Sequence, residues 1–460
     1  MYNGGGEDLK SSELLKHKKV AIYIILTLIL ALSFYVRFQT FNLPRNSGDQ
    51  SFFVALAYKL DRYGIEEYTL RGIKKVTVEK DKAAYYYHAD SEDEKGDILK
   101  GLEKIGITYY DEPLYHNPPL FSYLLIASHK LITPKNPYSL IYYFDSKSKV
   151  KNFYIHQLYA ALVPALSSLL LIFFTYLLGR KLFSDLVGLI ACLILSFNPV
   201  ELVASNKVWA DDTTALLVIV TIYLFLLAEE RDSLILSVAS GFFGGLAFLT
   251  KQNGGFVALV IVLYKLYLLK SEIKRNLLKI FDPKLILFGV TMTLIVSPWF
   301  FLIFKTYGVL YYVPTQIGKM ATEWAFAVSR HWYTYLFGIP YLMPIFALSY
   351  PMIILSLKNQ KKEGILLSIW ILVYLAIFSF YVLGKEHRYM LSAYPAIAIL
   401  SSKLLEDLRG EFSLLFERVR LPSSTSYILL ILLVFYFSKN AYELGMKIVL
   451  SRLDIISIPF

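Results

Sequence analysis

The sequence predicts an all-α polytopic membrane protein, and three observations carry that prediction. Apolar residues make up 56% of the 460 positions, and the mean hydropathy is +0.49, far above the range of an ordinary soluble domain. Apolar runs of about 20 residues, long enough to cross a bilayer, recur down most of the chain. Basic residues cluster in short segments between those runs, which is typical of cytoplasmic loops. We therefore expect about eleven transmembrane helices and one large external loop near the N-terminus.

The net charge of +11 has a topological explanation. A nucleic-acid-binding protein usually carries its basic residues in one continuous stripe or on a recognition helix, and this chain shows neither pattern. We therefore predict the lipid bilayer as the surrounding surface and no nucleic-acid partner. The single cysteine, Cys192, lies inside an apolar run. No disulfide framework is possible, and we expect a buried free thiol.

The first span fixes the orientation of the chain. It covers about residues 19–38 and follows a basic cluster that includes Lys16 and Lys18. It is too long for the core of a signal peptide and lacks a small-residue cleavage site, so we expect it to be retained. The basic flank places the N-terminus in the cytoplasm. Because the next strong span ends in Arg180 and Lys181, that end is also cytoplasmic, and the segment between the two spans is external.

One apolar stretch, residues 118–132, does not fit a simple count of spans. It is short and interrupted by polar residues, and counting it as a span would move the downstream basic loops to the outside. We therefore expect an amphipathic helix at the membrane interface, a second interfacial helix at 51–62 and a small hairpin within 71–104. The predicted organisation is a disordered cytoplasmic N-terminus (1–18), the first transmembrane helix (19–38), the external loop (39–153), a multi-span domain (154–445) and a C-terminal tail (446–460).

Three acidic residues fall at the predicted outer boundary of the membrane. Asp49 follows the first span, and Asp211 with Asp212 opens a later helix. Each position also suits a helix N-cap, although capping explains one carboxylate more easily than two adjacent ones. Ionisable groups at a membrane boundary are costly to desolvate, which makes them candidates for a functional site.

The basic candidates lie on the same predicted face. Lys251 interrupts an apolar run, and the glycines around it allow either close helix packing or a broken helix. Its alternative role is a side chain that snorkels to the headgroups. Arg388 belongs to a tight charged turn with Glu386 and His387, which can also be an ordinary solvated hairpin. His331 is either a metal ligand or, as we favour, a wet interfacial residue.

Acidic and basic residues on one face suit an enzyme that holds an anionic lipid headgroup and activates a hydroxyl. A membrane transporter or flippase for a lipid-linked or small solute is the main alternative. Transporters usually place ionisable groups near the midplane, on broken helices within repeats, whereas the predicted span interiors are nearly free of acids and no inverted repeat is visible. A non-catalytic scaffold is a third reading, and it would tolerate substitution of the outer-face acids.

Six segments follow one another in a recognisable order. They are SGDQSFFVALA, YHNPPLFSYLL, LYAALVPALSSLLLIFFTYLLGRKLF, SNKVWADDTTALLV, GGLAFLTKQNG and HRYMLSAYPAIAIL. Their order resembles the GT-C superfamily of membrane glycosyltransferases, in the branch of protein O-mannosyltransferases and lipid A aminoarabinose transferases. The resemblance departs from the family pattern at three places, where Asn117, Gln50 and Ser392 stand in positions that often hold Lys or His, Glu, and Pro.

The resemblance implies the GT-C fold and an inverting transfer of a sugar from a polyprenyl- or dolichyl-phosphate carrier to a hydroxyl of a protein, lipid or glycan. The enzyme would be a hexosyl- or pentosyltransferase of the cell (plasma) membrane, with its active site on the external face. It leaves a divalent metal open and implies no other cofactor.

The same resemblance assigns roles to particular residues. Asp49 would be the general base, and Asp211 or Asp212 would orient the acceptor or the cations. Lys251 and Arg388 would bind the donor phosphate. Aromatic rings such as Tyr389 and Trp332 could stack on the sugar or the prenyl chain. The supporting residues are His116, Asn117, Tyr389 and His331.

Overall fold

The structure is a computed structural model, and it describes most of the chain. The described residues are 5–39, 49–69, 71–78, 83–88, 104–110, 117–134, 150–276, 278, 281–308, 331–382, 385–419, 422 and 424–451. In chain order the helices are α1 (Gly5–Phe38), α2 (Asp49–Tyr63), α3 (Leu120–Ile132), α4 (Val150–Leu182), α5 (Asp185–Ser196), α6 (Pro199–Ser205), α7 (Asp211–Glu230), α8 (Leu234–Thr250), α9 (Phe256–Arg275), α10 (Pro283–Tyr307), α11 (Thr334–Leu342), α12 (Ser349–Asn359), α13 (Lys362–Ala376), α14 (Tyr394–Arg418) and α15 (Ser424–Ser451).

The all-helical membrane part that the sequence predicts is confirmed. Within the described residues, six helices are long and apolar enough to cross a membrane, and a bent pair raises the number to seven. The predicted number of about eleven is not confirmed, because several apolar segments form helices shorter than a bilayer span needs. The six are Lys19–Phe38, Leu158–Leu182, Asp211–Glu230, Pro283–Tyr307, Lys362–Tyr381 and Ser424–Val449.

The helix ends differ from the predicted domain bounds. Helix α1 begins at Gly5, inside the segment 1–18 for which the sequence predicts disorder. Helix α4 begins at Val150, four residues before the predicted start of the multi-span domain. Helix α15 continues to Ser451, beyond the predicted boundary at 445. Element ends are the part of a sequence pattern that hydropathy defines least sharply.

The bent pair is α5 and α6, whose axes differ by 63°. The sequence Asn-Pro causes the break. The Asn198 side chain accepts hydrogen bonds from the backbone N–H groups of Val200 and Glu201, both at 3.0 Å, and Pro199 takes the first helical position, where its missing N–H costs nothing. The short helix α6 therefore starts afresh and delivers the loop that precedes α7.

The segment between α1 and α4 carries a three-stranded antiparallel sheet. Its strands are β1 (Ile73–Val78), β2 (Ala83–His88) and β3 (Lys104–Tyr110), in the spatial order β2-β1-β3. The antiparallel pair of β1 and β2 lies within 71–104, where the sequence predicts a hairpin. The third strand, which the sequence did not predict, pairs with the other edge of β1 and adds a second ladder to a hairpin that would be marginal alone.

Helices α2 and α3 occupy the two positions predicted for interfacial helices. Helix α3 has 13 residues, about 20 Å of helix, which is shorter than the roughly 30 Å hydrocarbon core of a bilayer. The two helices pack together through Phe53 and Phe121, whose ring centroids are 5.0 Å apart. Cys192 is buried with a free thiol, as the sequence predicts.

Candidate active site

The first feature of the site is an ion pair between residues 339 positions apart in the chain. An Nη2 atom of Arg388 donates to the Asp49 carboxylate at 2.6 Å. Asp49 is the first residue of α2, where the helix N-terminus favours a carboxylate. Arg388 lies in a 3-10 helix that runs from His387 to Ala393. Two of the predicted site residues are therefore in direct contact.

Arg388 has further partners on other sides. Its Nε donates to the Glu386 carboxylate. Its guanidinium lies 4.1 Å from the centre of the Trp209 ring and 5.6 Å from that of Tyr389, both within the range of a cation–π interaction. The guanidinium is only 8% exposed. Arg388 is thus held between two carboxylates and two aromatic rings.

A second ion pair joins Lys251 and Asp211. The Lys251 Nζ lies 2.7 Å from Asp211 Oδ1 and 5.1 Å from the centre of the Tyr389 ring. Tyr389 therefore faces both cations and links the two ion pairs into one cluster. Asp211 is nearly buried, with 3% of its side chain exposed, whereas the Asp49 side chain is 50% exposed.

A break in the backbone places Lys251 at this point. Helix α8 ends at Thr250, Lys251 is extended, and a 3-10 turn from Gln252 to Gly255 leads into α9. The turn folds back tightly, because a Cβ added at Gly254 would lie 2.3 Å from the carbonyl oxygen of Ala247. Of the two alternatives that the glycines left open, the broken helix is the one that presents Lys251 to the site.

The segment that carries Arg388 is fixed by buried contacts. The Lys385 ammonium donates to the carbonyls of Phe378 at 2.6 Å, Ser379 at 2.8 Å and Val382, which satisfies the carbonyls at the end of a π-helical turn. The Tyr335 hydroxyl donates to the carbonyl of Glu386 at 3.1 Å. These bonds hold the chain on the N-terminal side of Arg388.

His387 packs the same segment against α11. Its ring lies so close to Gly338 that a Cβ added there would be 2.2 Å from His387 Cε1. It also meets the Tyr335 ring edge-on, with centroids 5.9 Å apart. Burial lowers the pKa of His387 to about 4, so the imidazole is neutral at physiological pH.

The loop between α6 and α7 connects the site to α2. The backbone N–H of Val208 donates to the Gln50 side-chain oxygen at 3.2 Å, and the next residue is Trp209, the ring beneath Arg388. Gln50, which departs from the family pattern, is therefore a contact between two elements of the site.

The electrostatics of the cluster couple its carboxylates to its cations. Burial raises the pKa of Glu386, and the neighbouring Arg388 works against that rise. Burial also disfavours charge on Arg388, but Glu386 first and Asp49 second outweigh it, and the pKa of Arg388 is raised. The cluster joins three carboxylates (Asp49, Asp211, Glu386) to two cations (Lys251, Arg388), and a further buried cation, Lys207, lies 5.9 Å from the centre of the Trp209 ring.

Asp212 lies outside this cluster, so Asp211 is the member of the pair that the site uses. The Asp212 side chain is fully buried, and neither of its oxygens has a hydrogen-bond partner among the described residues. Its electrostatic neighbours besides Asp211 are Glu201 and Arg37. A helix turns about 100° per residue, so adjacent side chains point to different neighbours.

Arg37 and Glu201 form a separate buried ion pair. Arg37 also donates from Nε to Ser168 at 2.7 Å, and Ser168 in turn donates to Glu201. Arg37 is 1% exposed and Glu201 is not exposed at all. Arg37 lies near the end of the first predicted span, and Glu201 is an acidic residue within a later one. Each of these buried charges is neutralised by a partner far away in the chain.

The other supporting residues are less closely tied to the cluster. His116 lies outside the described residues. Asn117 is half-buried at the turn before α3, and His331 is exposed, with its ring stacked on Tyr333 at a centroid distance of 5.0 Å. Trp332 is 55% exposed and stacks on Phe380 at 5.8 Å. Their roles stay predictions.

The cluster does not fit a divalent metal. In the part of the chain that the structure describes, no three His, Cys, Asp or Glu side chains converge as a metal-ligand group. The carboxylates of the cluster each contact a basic side chain.

An apolar groove lies among α8, α9 and α10. It has a volume of about 910 Å³ and is lined by aromatic and aliphatic side chains such as Phe248, Phe256 and Phe300. Gln252, the residue that follows Lys251, is one of its few polar lining residues, whereas no residue of the two ion pairs lines it. The link between the groove and the cluster is the chain itself, at positions 251 and 252.

Sequence reasoning missed two members of the cluster. Glu386 was noted only as part of a charged turn, although its position two residues before Arg388 is a signal for a local ion pair. Trp209 lies two residues before Asp211 inside a recognised segment, but nothing in the sequence shows which charge its ring would meet.

Known proteins resemble this chain in part of its sequence and in its fold. The family model for dolichyl-phosphate-mannose-protein mannosyltransferase matches residues 151–301. No curated protein matches the chain. The match covers α4 to α9 and most of α10, a range that includes Asp211 and Lys251.

Three solved structures illustrate the likeness of fold. ArnT from Cupriavidus metallidurans in the apo state aligns at a TM-score of 0.55 with 18% identity. The same protein bound to undecaprenyl phosphate aligns at a TM-score of 0.56 with 17% identity. Each alignment covers 94% of this chain and 73% of ArnT. The oligosaccharyltransferase AglB from Archaeoglobus fulgidus, in complex with an inhibitory peptide and a dolichol-phosphate, aligns at 0.59 with 14% identity, over 94% of this chain and 56% of AglB. These comparisons confirm the resemblance that the six segments indicate, and the chain has the fold of the GT-C membrane glycosyltransferases.

Proposed function

We propose that this protein transfers a sugar from a polyprenyl- or dolichyl-phosphate carrier to an acceptor hydroxyl at the outer face of the membrane. One observation carries the proposal, namely the two linked ion pairs, Asp49–Arg388 and Asp211–Lys251. A lipid-phosphate sugar has a long apolar tail, an anionic group and a reactive anomeric carbon in that order. The cluster offers cations for the anionic group, and the groove that includes Gln252 offers an apolar surface for the tail.

In the proposed reaction, Asp49 acts as the general base. It takes the proton of the acceptor hydroxyl while the hydroxyl oxygen attacks the anomeric carbon. The bond from that carbon to the phosphate oxygen breaks, and its electron pair leaves with the polyprenyl phosphate. Attack from the face opposite the phosphate inverts the anomeric centre. Asp49 is suited to the role because it is the most exposed carboxylate of the cluster.

The cations would stabilise the charge that develops on the departing phosphate. Arg388 offers a planar donor group suited to phosphate oxygens, and Lys251 offers a second positive charge from the broken end of α8. Donors that are already fixed in place stabilise a transition state without reorganisation. The polyprenyl tail would lie in the groove beside Gln252. Solved structures of ArnT and AglB, which share the fold, contain undecaprenyl phosphate and a dolichol-phosphate, respectively.

The transporter alternative has less support from the arrangement of charges. A carrier needs a polar site near the midplane that opens to one face and then to the other. The Arg37–Glu201 pair is the described charge pair buried most deeply, and it is sealed from solvent on all sides. Its partners are protein side chains, which suits a structural contact better than a transport site.

The test uses the full-length protein in lipid nanodiscs or proteoliposomes with a panel of radiolabelled sugar–polyprenyl phosphates and crude acceptor membranes. Movement of label to an acceptor, lost in Asp49→Asn, would support the proposal and identify the sugar. A matched control is Asp61→Asn, because Asp61 lies on the same helix but pairs with Lys130 at 2.5 Å. Label that crosses the bilayer with its sugar–phosphate bond intact would overturn the enzyme reading in favour of a flippase.

A further inference from the structure

We propose that the two carboxylates on Arg388 have different roles: Glu386 is its permanent positioning residue, and Asp49 is an exchangeable partner that the donor phosphate displaces. The inference rests on the proposed function, because it concerns the phosphate that the same site would bind. It makes donor binding the event that releases the general base.

The need for an exchange follows from the charges of the cluster. Both cations already have carboxylate partners, Lys251 at 2.7 Å and Arg388 at 2.6 Å. A phosphate that entered without displacing either carboxylate would lie next to both of them, and like charges repel at such a separation. A phosphate that takes the place of one carboxylate on a cation reduces that repulsion, because the released carboxylate turns away from the cation.

The exposure of the three carboxylates decides which one exchanges. The Asp49 side chain is 50% exposed, whereas Glu386 is 13% and Asp211 is 3% exposed. An ion pair in contact with water contributes little net free energy, since water solvates the separated charges. A buried carboxylate left without its partner is strongly unfavourable. Asp49 is therefore the partner that the site can release at the lowest cost.

The geometry keeps Arg388 in place during the exchange. Glu386 binds Nε, Asp49 binds Nη2, and the Trp209 ring lies 4.1 Å from the guanidinium. Nη1 donates to no side chain or carbonyl that the structure describes. A phosphate can therefore take Nη1 together with Nη2, while Nε and the ring contact remain. Two parallel N–H donors are the arrangement that phosphate oxygens prefer.

The exchange would couple the two halves of the reaction. Before the donor binds, the ion pair with the guanidinium occupies the Asp49 carboxylate and keeps it from an acceptor hydroxyl. When the phosphate takes the guanidinium, Asp49 is released beside the anomeric carbon and can accept the proton of the hydroxyl. The acceptor hydroxyl is then activated only at a loaded site, and the same guanidinium stabilises the negative charge that the phosphate gains as the glycosidic bond breaks.

The test measures lipid-phosphate binding in nanodiscs, which does not require sugar transfer. The probe is tritiated geranylgeranyl phosphate, geranylgeraniol serves as the control for the tail, and inorganic phosphate is the competitor for the headgroup. We expect Asp49→Asn to tighten binding of the probe about three- to tenfold, because it removes the competing carboxylate. We expect Glu386→Gln to weaken binding by a similar factor, because Arg388 loses its fixed partner. Asp61→Asn is the control for a charge removed elsewhere on α2.

A double-variant cycle separates exchange from a general charge effect. If Asp49 acts through Arg388, the tightening disappears when Asp49→Asn is made in an Arg388→Met background. A tightening that persists there would overturn the exchange, as would unchanged or weaker binding in Asp49→Asn. Since Glu386 is buried, Glu386→Asp accompanies Glu386→Gln. Tighter binding in either of these variants, at an unchanged Tm, would overturn the positioning role.

The outcomes also distinguish this inference from the proposed function. If Asp49→Asn tightens probe binding and Glu386→Gln weakens it, but no sugar is transferred from any donor, the exchange is retained and the transferase is rejected. If sugar is transferred but the two variants do not change binding in opposite directions, the transferase is retained and the exchange is rejected. A wild-type protein that binds geranylgeraniol as tightly as geranylgeranyl phosphate would overturn the exchange, and full competition by inorganic phosphate at the same concentration would overturn its assignment to a lipid headgroup.

Discussion

Two arginines in this protein make similar contacts in different surroundings. Arg37 binds Glu201 and Ser168 and is 1% exposed, and its carboxylate partner is completely buried. Arg388 binds Glu386 and Asp49 and is 8% exposed, but Asp49 is half exposed. The first pair has no access to water, and the second has access on one side. The comparison teaches that access to water, more than the pairing itself, separates a structural contact from one that a substrate can use.

A third ion pair extends the comparison to the surface. Lys305 and Glu66 are 3.4 Å apart, with 62% and 75% of their side chains exposed. Water and salt screen such a pair almost completely. The three pairs form a series: Arg37–Glu201 is the sealed pair, Arg388–Asp49 the half-open pair and Lys305–Glu66 the surface pair. The consequences of breaking each one should differ accordingly.

The largest effect is expected on the rate of sugar transfer, when the half-open pair is broken. Asp49→Asn should lower the rate of sugar transfer by about 10²–10⁴-fold, the usual contribution of a general base, with little change in stability because the side chain is half exposed. Initial rates with a labelled lipid-phosphate sugar measure the effect. Asp61→Asn is the matched control. A fully active Asp49→Asn would remove Asp49 from the chemistry and leave the half-open pair with a purely structural role.

Breaking the sealed pair should lower the free energy of unfolding. Glu201→Leu leaves the Arg37 charge buried without its carboxylate, and the loss of one partner of a buried pair costs about 3–5 kcal/mol. The double variant Arg37→Met/Glu201→Leu should recover only part of that loss, since it removes both charges of the pair but leaves the buried Asp212 without the cation beside it. Unfolding by SDS in mixed micelles measures both variants. If the single variant were as stable as the wild type, the sealed pair would not be distinct from the surface pair.

Stability should also depend on pH through His387. Its pKa is about 4 in the folded protein, against 6.5 for an unperturbed histidine, so the unfolded chain binds more protons between those values. The free energy of unfolding should therefore rise by roughly 3 kcal/mol at most between pH 4 and pH 6.5. Acidification through the same range should reverse that gain. Thermal unfolding across this range measures the dependence, with His387→Phe as a comparison that keeps the ring against Gly338. An equal slope in both proteins would assign the acid sensitivity to other groups.

The smallest effect is expected at the surface pair. Glu66→Gln should change the free energy of unfolding by less than about 1 kcal/mol and leave sugar transfer unchanged. The same SDS unfolding and transfer assays measure it. A loss comparable to that of Glu201→Leu would mean that exposure does not order the three pairs.

The sequence predicted the members of the site better than their contacts. Asp49, Asp211, Lys251 and Arg388 were each predicted from a polar residue at the edge of an apolar run, and the structure brings all four together. Their pairing could not be predicted, because the partners are 40 and 339 positions apart. The choice of Asp211 over Asp212 also needed the structure, since it depends on the rotation of α7 about its axis.

The fold shows a similar division. Hydropathy predicted the membrane helices, because burial in lipid requires long apolar runs with internally satisfied backbones. The predicted number of about eleven spans is not confirmed, since a run of apolar residues does not show where Lys251 or Asn198 breaks a helix. It also missed β3, because strand pairing depends on a partner that the local pattern does not contain.

The sequence by itself determined that this chain is a polytopic membrane protein, that charged residues collect at the ends of its helices, and that its motifs follow the order of a GT-C glycosyltransferase. These properties depend on composition and on local order along the chain. Only the tertiary structure decided which charges meet: Arg388 with Asp49 and Glu386, Lys251 with Asp211, and Arg37 with Glu201. The physical reason is that the free energy of an ion pair depends on its partner and on its access to water, and the fold sets both.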